Sequence, residues 1–389
     1  MSETADVVVV GAGVHGASTA FHLAQRGARV VVLERSTAAA GATGRSSGLV
    51  RMHYDLAAES ALAWTSFAYF SDWAARVGGD CGFVRTGFLR LVPAEQEAHL
   101  RANVAEQQRI GIRTSIVEAA DVRAMAPMLA TDDFAIAAYE PDSGYADPTS
   151  TCTTLLAAAR ARGARVRFAS PVERIELDGP RVVGVRTATV TISAPTVVLA
   201  AGAWSAALAA SAGVALPIRA WHHDTGFVTR PAEVGAAGLP TVIDDINALY
   251  FRPEGGTLAL VGLEDGNRID DRPADDARSD PAFVEHMVER ITRRVPGLAS
   301  AGFRGAHGGT DGITPDQRPV LGTYGPEGLV LQTGFSGTGF KIAPAVGLAI
   351  SELILDGEAR SVDLTPFDAG RFAAGRELRG EHPYGSLWR

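Results

Sequence analysis

The chain of 389 residues carries 44 acidic and 36 basic side chains, a formal net charge of −8, with 46% hydrophobic and 21% charged residues. That length exceeds one ordinary core and favours two lobes or one interleaved unit, and the composition is that of a folded globular protein. The negative charge, with no run of Arg or Lys between aromatics to offset it, excludes nucleic acid as a partner, and the lack of an apolar stretch of spanning length excludes membrane insertion.

In chain order, Asp6-Val7-Val8-Val9-Val10 reads as a strand buried on both faces of a parallel sheet. It enters Gly11-Ala12-Gly13-Val14-His15-Gly16, after which Ala17, Ala20, Phe21, Leu23 and Ala24 recur at helical spacing until Gly27, and Val30 to Leu33 is a second strand. The pattern predicts helices over 72–78 and 95–110 with a strand pair, Phe83 to Leu91, between them. A helix from Ser150 to Arg162 and a strand from Val166 to Phe168 follow, then strands Val182 to Val190 and Thr196 to Leu199 around a turn. From Pro217 to Leu263 alternating, aromatic-bearing segments suggest an antiparallel sheet. Ser279 to Arg293 is an amphipathic helix, and Leu329 to Leu331 is a last strand leading through a Gly-rich loop into a helix over about 342–355. The order predicts an α/β fold of two discontinuous domains: a Rossmann-like nucleotide-binding domain from 1–80, 141–216 and 305–389, and an inserted, mixed and largely antiparallel β-sheet substrate domain from 81–140 and 217–304. The polar tail beyond Glu377 is expected to be loosely held.

Cys81 and Cys152 match no metal spacing and read as buried small hydrophobes, so no metal site is expected. The basic residues are almost all Arg, and Lys341 is the only lysine. A coding bias explains the missing lysines but not the one retained, which marks a place suited to a compact ammonium rather than a planar fork. The first residues carry neither a basic stretch nor a cleavage site before the first strand, so a cytoplasmic location is expected.

The glycine motif has the context that dinucleotide binding requires: a strand before it, a helix after it, and Glu34 at the end of the next strand. Gly11 permits the tight turn, Gly13 lets a pyrophosphate approach the backbone, and Gly16 lets helix and strand pack closely. Ala12, Val14 and His15 complete a loop whose free N–H groups face the diphosphate, while Glu34, followed by Arg35, accepts ribose hydroxyls. Three further segments favour FAD over NAD. Thr43, Gly44, Arg45, Ser46, Ser47 and Gly48 form a nest for a second phosphate, and Thr196 to Leu199 ends in the small residues Ala201 and Gly202 ahead of Trp204. Gly334, Phe335, Gly337, Thr338, Gly339, Phe340 and Lys341 open a helix whose N-terminus would stabilise negative charge on a reduced flavin. Val172 and Gly309 join the expected cofactor contacts.

With Gly144-Tyr145-Ala146-Asp147-Pro148, Ala200 to Trp204, Thr314-Pro315-Asp316-Gln317-Arg318-Pro319 and Gly334 to Lys341 in this order, nearly the whole chain resembles the D-amino-acid-oxidase-like family of FAD-dependent oxidoreductases, which includes sarcosine oxidase, dimethylglycine dehydrogenase and glycine oxidase. The resemblance places Arg51, in Ser47-Gly48-Leu49-Val50-Arg51-Met52-His53-Tyr54, where sarcosine oxidases bind the substrate carboxylate, and Lys341 at a second carboxylate-binding cation. A structural ion pair for Arg51 and a flavin-oxygen contact for Lys341 are the competing readings. Gly309 stands where monomeric sarcosine oxidases attach the flavin through a cysteine, so FAD is expected to be noncovalent, with attachment through a histidine such as His53 the lesser alternative. The segment that builds the substrate-domain sheet holds no lysine of the kind those oxidases use to activate oxygen. His222, His223, Tyr250 and Arg252 fall on strands that the family brings over the flavin; Tyr54 and His307 complete the candidates.

The reaction implied is hydride transfer from the α-carbon or an N-alkyl carbon of a small carboxylate-bearing amine, sarcosine- or glycine-like, to flavin N5, giving an imine that water hydrolyses, with a nearby histidine accepting the amine proton. Oxygen or another acceptor would reoxidise the flavin. Two alternatives stand beside it: oxidation of a 2-hydroxy acid held by the same cations, and a non-catalytic flavin-binding subunit of a heteromeric complex. Both a homo-oligomer and a heteromeric complex are compatible with the sequence.

Overall fold

Val7, Val8, Val9 and Val10 are each at most 4% exposed and form the central strand of a six-stranded sheet. The computed structural model describes residues 3–235, 238–274 and 278–385. The sheet runs in the order Arg165–Arg167, Val30–Leu33, Val7–Val10, Thr196–Leu199, Leu329–Thr333, Val320–Thr323, parallel throughout except for the last pair. Alternate side chains of a strand point to opposite faces, so each valine serves one of two cores. Val7 and Val9 pack with the helices Val14–Gln25, Pro148–Ala161 and Ala343–Asp356, while Val8 and Val10 pack with Ile175, Val182, Val185 and Ile192 of a smaller sheet. Helices on one face and a β-meander on the other explain why the strands read as unbroken apolar runs.

A second, large sheet holds nine strands among the described residues. Its pairs are antiparallel except Phe88–Leu91 with Thr241–Asp244, and Arg219–Thr229 lies between Leu258–Leu263 and the long strand Phe303–Ile313. Helix Pro281–Arg294 covers one face of it, burying Phe283, Met287 and Ile291 against Val228, Val242 and Phe251. The strand Phe303–Ile313 carries this sheet past the boundary expected at 305.

Several elements differ from the sequence expectation. Helix Ala57–Phe70 was not anticipated, because Glu59, Ser60, Leu62, Ala63, Ser66, Phe67 and Phe70 are buried on several sides and no amphipathic stripe marks it. The helix expected over 72–78 is only Trp73–Arg76. Phe83 to Leu91 does hold two strands, yet Val84–Arg85 pairs with Gly144–Tyr145 whereas Phe88–Leu91 pairs within the large sheet, so they form no hairpin. Likewise Arg181–Thr187 belongs to the meander and Thr196–Leu199 to the central sheet. The strands Ser115–Glu118 and Ile136–Glu140 and the helix Ala119–Met125 fill a stretch that carried no prediction. The tail, expected to be loose, is tied down as far as 385: Leu378 N donates to Asp316 Oδ2 at 3.0 Å, Glu381 N to Asp55 O at 3.0 Å, and Tyr384 is 4% exposed. Residues 386–389 lie outside the described residues.

A buried ionic cluster joins these parts. Arg318, fully buried, donates Nη2 to Asp55 Oδ1 at 2.6 Å and Nη1 to Glu59 Oε2, at the start of helix Ala57–Phe70. Asp316, two residues before, accepts from Arg371 Nε at 2.7 Å and Nη2 at 3.0 Å. Arg318→Met should destabilise the fold by about 3–5 kcal/mol, since it strands two buried carboxylates. Removing the acids as well, in Arg318→Met with Asp55→Asn and Glu59→Gln, should return much of the loss. Chemical denaturation compares the two; equal losses would deny that stranded charge is the cause.

Candidate functional site

A cavity of about 380 Å³ has Val10, Leu33 and Ala200, at the C-terminal ends of three central strands, on one side, and Trp221, His223 and Tyr250 of the large sheet on another. The crevice beyond the carboxyl ends of a parallel sheet is where this architecture places nucleotides. Gly11 holds φ +108°, and a Cβ there would stand 2.4 Å from Ala200 O, so only glycine fits the turn. Glu34 accepts from Ala12 N and Ser36 N, both at 2.9 Å, which locks its carboxylate beside the loop. Thr43 Oγ1 accepts from Val14 N at 3.0 Å, and helix Val14–Gln25 starts at Gly13 without a capping side chain.

The expected cofactor residues Gly11, Gly13, Val14, His15, Glu34, Arg35, Thr43, Arg45, Ser46, Ser47, Val172, Ala201, Gly202, Trp204, Gly309, Phe335, Gly337, Gly339 and Phe340 all line this cavity. Ala12, Gly16, Gly48, Gly334 and Thr338 lie off its wall, and Gly44 lines a second hollow beside it, of about 870 Å³, together with Arg45 and His307. His15 stacks on Phe335 with centroids 3.5 Å apart, clasping the first glycine loop to the last, and both of its ring nitrogens are buried. The Arg35 guanidinium lies 3.8 Å from the Trp204 ring. A Cβ at 309 would meet Arg45 Cβ at 2.9 Å, so the Arg45 stem occupies the room a side chain there would need. These features fit FAD: a glycine turn open to a diphosphate at a helix start where Gly13 supplies no capping side chain, an acid placed for ribose, and a buried histidine ring joining two glycine loops at the wall.

Two residues expected over the flavin form a defined pair on the cavity wall. Asn267 Nδ2 donates to Glu264 O at 2.7 Å and Leu263 O at 3.3 Å, which turns its Oδ1 toward His223 Nδ1 at 3.0 Å. His223 must then carry its hydrogen on Nδ1, so Nε2 accepts from the Tyr250 hydroxyl at 2.8 Å. Tyr250 thus has its hydrogen committed to the imidazole, and its oxygen accepts from Thr225 Oγ1 at 3.4 Å. Burial lowers His223 to about 4 and raises Tyr250.

Arg51 and Lys341 converge on one aromatic ring: the Arg51 guanidinium stands 4.3 Å and the Lys341 ammonium 5.6 Å from the Tyr54 ring centre. They are 2% and 6% exposed, and Arg51 also donates to His53 O. Burial, and then the Arg51 charge, hold Lys341 well below its usual value. No hydrogen bond or ion pair reaches Lys341 among the described residues. The three are not on the cavity wall, but Lys341 follows Gly339 and Phe340, which are.

The other candidates are engaged elsewhere. Arg252 donates Nε to Ser47 O and Nη1 to Glu254 Oε2, both at 2.5 Å, and stacks on Tyr145, so it braces the nest instead of facing substrate. His222 stands behind the cavity wall, bridging Thr310 Oγ1, which lines it, and Asp270 Oδ2, each at 3.1 Å. His53, considered for flavin attachment, is fully buried against Tyr384 at 2.7 Å. Sequence reading missed Thr310, Asp311 and Gln332, which do line the cavity. Asp311 accepts from Gly337 N at 2.7 Å and so ties the strand Phe303–Ile313 to the last glycine loop; that strand, broken by glycines, gave no readable pattern.

Residues 6–353 match the family described as DAO, FAD dependent oxidoreductase, and the chain belongs to that family, whose cofactor is FAD. It is 28% identical to the glycine oxidase of Geobacillus kaustophilus over 95% of this chain and 98% of that one. It is 29% identical to the mitochondrial sarcosine dehydrogenase of Homo sapiens over 96% of this chain, but spans only 42% of that protein's length. The crystal structure of L-proline dehydrogenase from P. horikoshii superposes with a TM-score of 0.90 at 26% identity, over 97% of this chain and 100% of that one.

An exposed histidine, with a pKa near 6.5, would be mostly charged at pH 5.5. Because burial lowers His223 to about 4, it should remain neutral there with hydrogen on Nδ1, and the stability it lends, fully present above pH 6.5, is lost progressively as the pH falls from 6.5 to 4. Imidazole NMR of histidine-labelled protein, with His223→Gln for assignment, checks this. An imidazolium signal from His223 at pH 5.5 would contradict it.

Proposed function

We propose that the protein oxidises a carbon–nitrogen bond in a small amine that carries a carboxylate, an amino acid or N-alkyl amino acid of sarcosine or glycine type, with Arg51 and Lys341 holding the acid. The convergence of two buried cations on Tyr54, Lys341 making no hydrogen bond or ion pair among the described residues, carries the reading. A buried charge left unpaired is costly, and a substrate carboxylate between the two would repay it with charge-assisted hydrogen bonds. The acid would then be fixed at one end of the substrate while the amine turns to the His223–Tyr250 pair.

That pair suits the amine. Tyr250 Oη, its hydrogen given to His223, accepts an N–H from the substrate, and the pair favours the neutral amine because burial opposes a charged imidazole. Trp221 and Phe340 exclude water from the same wall. Bound FAD would supply the hydride acceptor for the carbon next to the nitrogen, and the imine so formed would be hydrolysed by water. The reading divides the chain as the sequence suggested, cofactor to the central sheet and substrate to the large one, with Phe303–Ile313 going to the latter. Oxygen or another acceptor completes the cycle.

Anaerobic titration of the yellow protein is the test: amino acids or N-methyl amino acids should bleach the flavin, and their esters should act poorly. Bleaching by 2-hydroxy acids alone, or by none of these compounds, would overturn the proposal. Because Gly309 leaves no attachment point, FAD should be released into the supernatant on acid or heat precipitation, and flavin retained by the pellet would deny the noncovalent assignment. Lys341→Arg should keep FAD yet slow anaerobic flavin reduction by about tenfold or more, as should Lys341→Met, because a planar fork cannot replace a compact ammonium beside Arg51. A near-wild-type rate for Lys341→Arg in stopped flow would show that the lone lysine has no special role.

A further inference from the structure

Residues 378–385 run across helices Ala57–Phe70 and Glu97–Ile110, and Tyr384 packs on the large-sheet side of the molecule. Glu381 Oε2 accepts from Ala57 N at 3.1 Å, Asn103 Nδ2 donates to His382 O at 2.8 Å, and His99 Nδ1 lies 2.7 Å from Pro383 O. Gly380 packs so closely that a Cβ would stand 2.3 Å from Asp55 Oδ2. These anchors carry Tyr384 into the interior, where its ring lies 3.9 Å from the Arg90 guanidinium and its hydroxyl 2.7 Å from His53 Nε2. Arg90 is itself ion-paired to Asp245 at 2.8 Å.

His53 is the link between this segment and the cation pair. Its ring is held by Tyr384, and its carbonyl accepts from Arg51 Nη1. Side chains hold this turn at three points: the Tyr54 carbonyl accepts from Gln107 Nε2 at 3.0 Å, Met52 N donates to Glu140 Oε2 at 3.0 Å, and the His53 ring is held by Tyr384. We propose that Tyr384 is a positioning residue for substrate binding: by holding the His53 ring it sets the carbonyl that aims Arg51, so the C-terminal segment determines affinity for the substrate's carboxylate without touching substrate or FAD. The inference rests on the carboxylate role proposed for Arg51.

Tyr384→Phe keeps the ring against Arg90 and removes only the hydroxyl. In the FAD-bound full-length protein it should raise KM for the amino-acid substrate, and weaken the flavin spectral response to a simple carboxylate such as methoxyacetate, each by about three- to tenfold. The rate of flavin reduction at saturation and the FAD dissociation constant should stay within about twofold. His53→Gln should cause a similar KM change, and the double variant should be no worse than either single one, because both break the same link. An unchanged KM, or additive effects in the double variant, would overturn the proposal. So would parallel losses of Tm, FAD affinity and KM, which mark a merely structural role. Arg51→Gln separates this failure from that of the parent reading: if it leaves methoxyacetate affinity intact, the carboxylate assignment itself falls.

Discussion

Arg318 sets the geometry on which the candidate substrate side depends. A guanidinium with no exposed surface is tolerable only if each face of its fork meets an acceptor, and Asp55 and Glu59 supply them from the start of helix Ala57–Phe70. That pins the helix and, with it, the turn Arg51 to Tyr54 directly before. Burial pushes the Glu59 carboxyl upward and the Arg318 charge opposes that, while the Glu59 carboxylate acts in turn on Arg51 and Lys341. One ion cluster therefore positions the helix, sets the field around the two cations, and through Asp316 and Arg371 receives the C-terminal segment.

The cofactor side rests on a different constraint, close backbone approach. The Gly11 turn fits under Ala200 only because no Cβ intervenes, and helix Val14–Gln25 starts beside it with no capping side chain from Gly13 and with Val14 N donating to Thr43 Oγ1. The His15–Phe335 stack and the Asp311 bond to Gly337 then tie the last glycine loop to the first loop and to the large sheet. Because the two sheets meet at this cavity, residues of the large sheet such as His223 and Tyr250 face the same space as the glycine turn.

The electrostatics differ between the two walls. Around Tyr54 the protein buries positive charge and lowers the Lys341 pKa, an environment that welcomes an anion. Around Tyr250 it keeps the imidazole neutral and orders its hydrogens through Asn267, an environment that accepts a hydrogen without holding a cation. Acid recognition and amine recognition thus occupy separate surroundings, as a substrate with one group of each kind requires.

The sequence by itself determined the elements whose signal is local. Val7–Val10, the glycine turn, Glu34 and the helix Ala343–Asp356 were legible because an apolar run, a φ that only glycine adopts and a Gly-rich helix start are written in adjacent residues. The family was legible for the same reason, as short motifs in a fixed order. Tertiary structure alone decided the rest. Helix Ala57–Phe70 is buried on several sides and shows no periodic stripe, and Phe83 to Leu91 divides between two sheets because its partners, Gly144–Tyr145 and Thr241–Asp244, lie far along the chain. The tail reads as polar and loose, yet its charges and carbonyls find partners in Asp55, Asn103 and Asp316, which only folding brings near. Arg252 and His222 looked like site residues from their strands, but they stand behind the cavity wall, bonded to Ser47 and Glu254 and to Thr310 and Asp270, whereas His223 and Tyr250 share a wall because antiparallel pairing sets their strands on either side of Leu258–Leu263. Which of several similar side chains reaches a cavity depends on pairing register and on competing hydrogen bonds, and neither is encoded within a single strand.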